Sequence, residues 1–124
     1  MKQAIYQRDF KAVGEIAEHN GMKMHATTLS ANPPFTYWAP ESVAVQDMVR
    51  RIREKTGLSA YMTMDAGPNV KLLCRASEMS RLTDLIAQEW PRERIINSKP
   101  GPAAHFLTEK DWEQSKEKFY GKNV

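Results

Sequence analysis

An α+β domain is predicted, with a mainly antiparallel sheet of about four strands covered by helices on one face. Three observations predict it. Stretches with helical apolar spacing alternate with short apolar runs. Two of those runs are joined by a tight turn containing Gly67-Pro68. Two more flank a second turn, Pro100-Gly101-Pro102. Runs joined by tight turns pair antiparallel, and such a sheet buries one face under helices.

Residues 2–20 carry Ile5, Phe10, Val13, Ile16 and Ala17 as an apolar stripe with charges elsewhere, the pattern of an amphipathic helix. Asn20-Gly21 offers a left-handed cap to end it. Residues 22–31 continue with helical or loop character until Asn32-Pro33-Pro34 stops any helix. Residues 33–40, with Phe35, Tyr37 and Trp38 among prolines, read as a rigid connector packed on the sheet edge. The functional alternative is a wall of a ligand cleft or part of a subunit interface.

Pro40 suits the first turn of a helix. Residues 41–56 follow with Val45, Met48, Val49 and Ile52 on one face, and Gly57 as the stop. Arg50, Arg51 and Arg53 fall mostly off that face, as a solvated basic surface. Residues 58–64 alternate as a half-buried strand does, and 70–74 form a second apolar run. Ser77 reads as the N-cap of a helix to about Glu89 that buries Met79, Leu82, Leu85 and Ile86. Trp90-Pro91 ends it.

Ile95-Ile96 within 94–97, and residues 104–107, read as further short strands around the turn over 98–102. Thr108 and Asp111 have the spacing of a capping box that opens a last helix to Tyr120. That helix sets Trp112, Ser115 and Phe119 along one line. Gly121 closes it, and 122–124 form a loose end. The resulting order is a ferredoxin-like two-layer sandwich, a single domain over 1–124 without linker or repeat.

The chain has 124 residues, 41% hydrophobic and 27% charged, which suits a folded domain with its own core rather than disorder. No apolar run approaches the ~20 residues of a membrane span, so no membrane partner is expected. The first ten residues lack a signal-peptide core. With one cysteine, Cys74, a disulfide framework is excluded and a cytoplasmic location is expected. Cys74 sits in an apolar run, in a packing role. The net charge of +3 is compatible with anionic small molecules. It does not point to nucleic acid, because basic residues alternate with acids and no recognition motif is present.

The chemistry concentrates in residues 62–71, a strand, an acidic residue, a Gly-Pro turn and a strand. Asp65 sits at the rim of the expected sheet, beside a loop with free backbone N–H groups. A carboxylate held there can serve an anion-handling site. An Asp before a Gly-Pro turn also serves as an Asx residue that only closes the hairpin, and the residues alone favour that. His19, His25 and His105 have no metal-type spacing with each other or with Cys74, so no metal site is expected. His25 reads as a surface or core-edge residue. No Gly-rich phosphate loop opens a helix, and no Ser or Cys nucleophile motif is present. One acidic candidate without a nucleotide cradle is part of an active site rather than a whole one.

Three stretches, in this order, resemble one family: Lys23-Met24-His25-Ala26-Thr27-Thr28, then Pro33-Pro34-Phe35-Thr36-Tyr37-Trp38, then Met62-Thr63-Met64-Asp65-Ala66-Gly67-Pro68-Asn69-Val70-Lys71. They are similar to the C-terminal half of diphosphomevalonate decarboxylases, most of all the bacterial branch, within the GHMP kinase superfamily. The likeness runs from near residue 3 to near residue 108. It implies a GHMP-type C-terminal domain detached from its ATP-binding N-terminal domain. It also implies an ATP- and Mg2+-dependent decarboxylation of mevalonate diphosphate to isopentenyl diphosphate by the full-length enzyme.

For the residues, the resemblance implies that Asp65 is the catalytic carboxylate facing the substrate's 3-hydroxyl, as general base or as the group that orients it, with Ala66 and Gly67 lining the substrate. No ATP or Mg2+ is expected to bind this chain alone, and no activity either. The expected partners are mevalonate diphosphate, the missing N-terminal domain, and a second copy through self-association as a homodimer. Residues 98–103 resemble a Gly-Pro-Gly-like family segment, but Ala103 stands in place of its last glycine. That puts any role of this loop in doubt. The competing expectations are a related kinase or phosphomevalonate decarboxylase fragment, and a free-standing, catalytically idle ferredoxin-like binding module.

Overall fold

A computed structural model describes residues 1–120, with side chains as far as residue 116. The calls on Gly121, on residues 122–124 and on the Phe119 side chain lie outside the described residues. The helix expected over 2–20 is divided into α1 (Lys2–Tyr6) and α2 (Phe10–Leu29). The break falls at Arg8, a non-glycine residue with a φ of 55°. Helix α2 restarts where the Asp9 carboxylate accepts a bond from the Ala12 N–H at 3.0 Å, an N-cap.

Helix α2 runs straight through Asn20-Gly21, so the cap expected there does not form. Gly21 serves packing instead. A Cβ added to it would lie 3.1 Å from Thr63 Oγ1, and one added to Gly14 would overlap the Tyr61 ring. Gly14, Glu18, Gly21 and His25 are spaced by four, three and four residues, which places them on one helix face. That face lies against strand β1 (Tyr61–Thr63). Of the expected apolar stripe, Ile5 and Ile16 are exposed.

Helix α3 (Pro40–Thr56) begins with Pro40 in its first turn and ends at Gly57, which has a φ of 69° in the left-handed region. Both ends are as expected, because proline at the start and glycine past the end are local signals. Met48, Val49 and Ile52 of α3 pack with Leu58 and Ala60, and with Leu82 and Ile86 of α4 (Met79–Ile86). Val45, Leu72, Cys74, Leu85, Trp90 and Ile95 close around them. Arg50 is exposed as expected, whereas Arg51 and Arg53 are half-buried in ion pairs. Arg51 bridges Asp47 at 3.0 Å and Glu89 at 2.9 Å. Arg53 bonds Glu18 Oε2 at 2.9 Å and the Ala60 carbonyl at 3.0 Å, tying α2, α3 and the entry to β1 together.

Strand β1 pairs antiparallel with β2 (Lys71–Leu73), in the register Tyr61↔Leu73, Met62↔Leu72 and Thr63↔Lys71. Among the described residues this two-stranded ladder is the whole sheet. The chain is therefore α+β, but residues 94–97 and 104–107 form no strands of the expected four. Arg92–Arg94 is a 3-10 turn instead. Pro100 and Pro102 lack ladder N–H groups, and nothing described pairs with the segments around them. Ile96 is 90% exposed and Phe106 fully so.

Ser77 does not cap α4. It lies inside a 3-10 turn, Ala76–Glu78, and α4 starts after Glu78 without a side-chain cap bond. The Glu78 carboxylate is used elsewhere, accepting from the Ser59 N–H at 3.2 Å. The capping box forms as expected at α5 (Glu109–Tyr120). Asp111 accepts from the Thr108 N–H at 2.9 Å, and the Asp111 N–H donates to Thr108 Oγ1 at 3.3 Å. The Thr108 hydroxyl and then its N–H hold the Asp111 carboxyl below its ordinary range. No helix among the described residues is long and apolar enough to cross a membrane.

The close approach of α2 to β1 gives a stability test. Gly14→Val should destabilise the chain by more than about 2 kcal/mol, because overpacking must displace the buried Tyr61 ring. Gly67→Ala, with no atom within 4 Å of the added methyl, should shift stability by less than about 0.5 kcal/mol. Urea unfolding of the two variants checks the contrast.

Candidate active site

Strand β1 delivers the acidic residue to a turn. Met64 is buried beneath the strand's end, and Asp65 and Ala66 are exposed. Gly67 is half-buried and its N–H donates to the Asp65 carbonyl at 2.8 Å, so the main chain closes the turn tightly. The Asp65 carboxylate accepts no backbone N–H among the described residues, so it does not act as an Asx closing group. Its side chain is 78% exposed, and Oδ2 meets Lys71 Nζ at 2.8 Å. The sequence expectation that Asp65 stands at a sheet rim is met, with Ala66 and Gly67 beside it.

The turn is held from behind by Ser42 at the start of α3. Ser42 is buried, accepts from the Ala39 N–H at 3.2 Å and donates its hydroxyl proton to the Pro68 carbonyl at 2.6 Å. Residues 33–39, with a cis Asn32–Pro33 peptide, form the connector between α2 and α3. Tyr37 and Trp38 pack on the His25 ring at centroid distances of 6.2 Å and 5.4 Å. His25 is 2% exposed, not at the surface, because it continues the glycine face of α2. Its two ring nitrogens, and Trp38 Nε1, have no hydrogen-bond partner among the described residues. His19 and His105 are exposed.

Sequence reasoning missed Ser42 and Lys71. Ser42 carries no motif, since its bond to Pro68 spans 26 residues. Lys71 had a signal in its place at the far end of the same turn. Cys74 is half-buried, and burial, then the charge of Glu78, pushes its thiol up. A raised thiol carries little thiolate, which suits the expected packing role.

A hollow of about 440 Å³ lies near the other end of β1, lined by Lys11, Glu15, Glu18, Arg53, Tyr61 and Arg75 among others. Asp65, Ala66 and Gly67 are not part of it. The acidic turn stands on an open surface, outside that hollow. Among the described residues no group of three His, Cys, Asp or Glu side chains could hold a metal ion. Nor does a Gly-rich loop open any helix.

The structure thus defines a class: an α+β domain that presents one carboxylate on the turn between β1 and β2 and, among the described residues, no Gly-rich nucleotide loop. The chain belongs to the family of the mevalonate 5-diphosphate decarboxylase C-terminal domain, whose model matches residues 1–121. It is 31% identical over 87 residues to a phosphomevalonate decarboxylase of Haloferax volcanii, covering 70% of this chain and 27% of that protein. A structure of the mevalonate diphosphate decarboxylase from Enterococcus faecalis is 44% identical, with a TM-score of 0.74, over 77% of this chain and 29% of that one. A structure described as MDDEF in complex with MVAPP, AMPPCP and magnesium matches with the same identity, TM-score and coverage. The chain thus spans less than a third of the length of these relatives.

The anchoring hydroxyl can be removed without touching the carboxylate. Ser42→Ala should cost about 1–2 kcal/mol, because it strips two bonds from a buried site. Amide exchange over residues 65–69 should quicken while that of α4 scales only with global stability.

Proposed function

We propose that this chain is the C-terminal part of a diphosphomevalonate decarboxylase, inactive by itself. In the assembled enzyme it would serve the ATP-dependent decarboxylation of mevalonate diphosphate to isopentenyl diphosphate, a carboxy-lyase step of isoprenoid synthesis. One observation carries the proposal. In a chain matched to the family over residues 1–121, Asp65 projects an ionisable group from an anchored turn into open space, with one oxygen unclaimed.

Asp65 is the proposed catalytic residue. Its carboxylate accepts a hydrogen bond from the tertiary 3-hydroxyl of the substrate and orients it, or takes its proton. The same negative charge favours the electron-poor carbon centre that develops as carbon dioxide is lost. Ala66 and Gly67 supply a flat, small-residue floor: Ala66 is exposed, and a Cβ on Gly67 would meet nothing within 4 Å. In this reading ATP and Mg2+ are held by the ATP-binding N-terminal domain.

The finer features of the fold and partners follow the same proposal. The two-stranded ladder is part of a four-stranded, ferredoxin-like layer completed on assembly. Ile95, already extended with φ −104° and ψ 113°, supports this. The exposed Ile96, Phe106 and Leu107 support an interface with the N-terminal domain or a second copy, giving a homodimer. The single cysteine supports a reducing, cytoplasmic setting. A phosphomevalonate decarboxylase is the second reading, favoured by the Haloferax volcanii relative. Asp65 would serve either substrate, since the hydroxyl is common to both.

Mixing the chain with the N-terminal half of a diphosphomevalonate decarboxylase, ATP, Mg2+ and mevalonate diphosphate should restore phosphate release. Asp65→Asn should lower that rate about 100-fold or more, within the range for a positioned acid–base group. Turnover by the chain alone, or full activity of the Asn variant, contradicts the proposal.

A further inference from the structure

We propose that Lys71 is a positioning residue for the same site: it fixes the Asp65 carboxylate in one orientation and offsets its charge beside an anionic substrate. This rests on the assignment of Asp65 above. Two structural facts carry it. The first is register. Lys71 opens β2 directly opposite Thr63, two residues before Asp65, so the ladder fixes where its side chain begins. The second is the contact itself. Lys71 Nζ lies 2.8 Å from Asp65 Oδ2, and Lys71 has no other carboxylate partner among the described residues.

The consequence is a carboxylate with divided duties. Oδ2 is taken by the ammonium, and Oδ1 is left as the free acceptor for a hydroxyl. A hydroxyl hydrogen-bonded to Oδ1 then sits within about 8 Å of Nζ, one ion-pair contact, the width of a carboxylate and one hydrogen bond away. The substrate class is a phosphorylated or diphosphorylated 3-hydroxy acid. A bare carboxylate would repel such a polyanion, while an Asp–Lys pair presents no net charge.

In the open chain the pair is half or more exposed, at 53% and 78%, and such pairs add little to stability. Covering the turn with substrate and the missing domain removes water and strengthens the pair where it is used. Its worth therefore lies in rate rather than in folding.

The test uses the reconstituted enzyme with Lys71→Met, Lys71→Arg and Asp65→Asn, following phosphate release. Lys71→Met should lower kcat about tenfold, with KM for mevalonate diphosphate changed less than about threefold, since misorientation of a catalytic group acts mainly on the chemical step. Lys71→Arg should recover kcat to within about threefold of the parent, because it restores the cation. The thermal midpoint of the Met variant should stay within about 2 °C of the parent.

In the 124-residue chain by itself, three-bond couplings of Asp65 should report one χ1 rotamer for the parent and Lys71→Arg. Rotamer averaging should appear in Lys71→Met. An unchanged kcat in Lys71→Met while Asp65→Asn is inactive overturns the role of Lys71 and leaves Asp65 standing. So does a loss that Arg fails to rescue, or a rotamer indifferent to Lys71. Full activity of Asp65→Asn instead removes the assignment of Asp65, and the role of Lys71 with it.

Discussion

Everything that places the acidic turn depends on how closely α2 can approach β1. Gly14 and Gly21 remove the side chains that would hold the two apart, and Tyr61 and Thr63 fill the space gained. The backbone of β1 is thereby fixed on one side by α2. On the other contacts, α3 presses Met48, Val49 and Ile52 into the core beside Leu58 and Ala60. A strand gripped in this way leaves its end, Asp65, little freedom. Had α2 carried larger residues on that face, β1 would need to shift, and the turn with it.

Charge completes what packing begins. Arg53 joins Glu18 of α2 to the carbonyl of Ala60, so an ion pair reinforces the glycine seam at the entry to β1. Ser42 does the corresponding work at its exit by holding the Pro68 carbonyl. Between these two anchors the ladder sets Lys71 against Thr63. The result is a braced turn with an exposed carboxylate at its edge. In the proposed reading such a turn pre-positions one wall of the site, and the N-terminal domain supplies the facing one.

What could be read from the sequence was local. Pro40, Gly57 and the Thr108–Asp111 box mark helix ends through their own backbone chemistry, and each is found where expected. The turn at 65–69 was legible for the same reason. What was not legible depends on distant partners. Gly21 looks like a helix stop until Thr63 is seen against it. Arg8 breaks a helix without glycine or proline to announce it. Ser77 has a capping residue's chemistry but sits inside a 3-10 turn. Ile95-Ile96 and residues 104–107 have strand composition, yet a strand needs a neighbour, and none is described. Asp65 was found by position, and its role came from family resemblance rather than from spacing. Ser42 and Lys71 gained meaning only when the fold brought them to the turn.

The most direct measurement of the central claim is a crystal structure of the chain assembled with its N-terminal half and mevalonate diphosphate. The account predicts Asp65 Oδ1 at about 2.6–3.2 Å from the 3-hydroxyl, within hydrogen-bond reach, with Ser42 still bonded to Pro68. A substrate bound with its hydroxyl facing away from the turn, or a carboxylate withdrawn from the cleft, would contradict it.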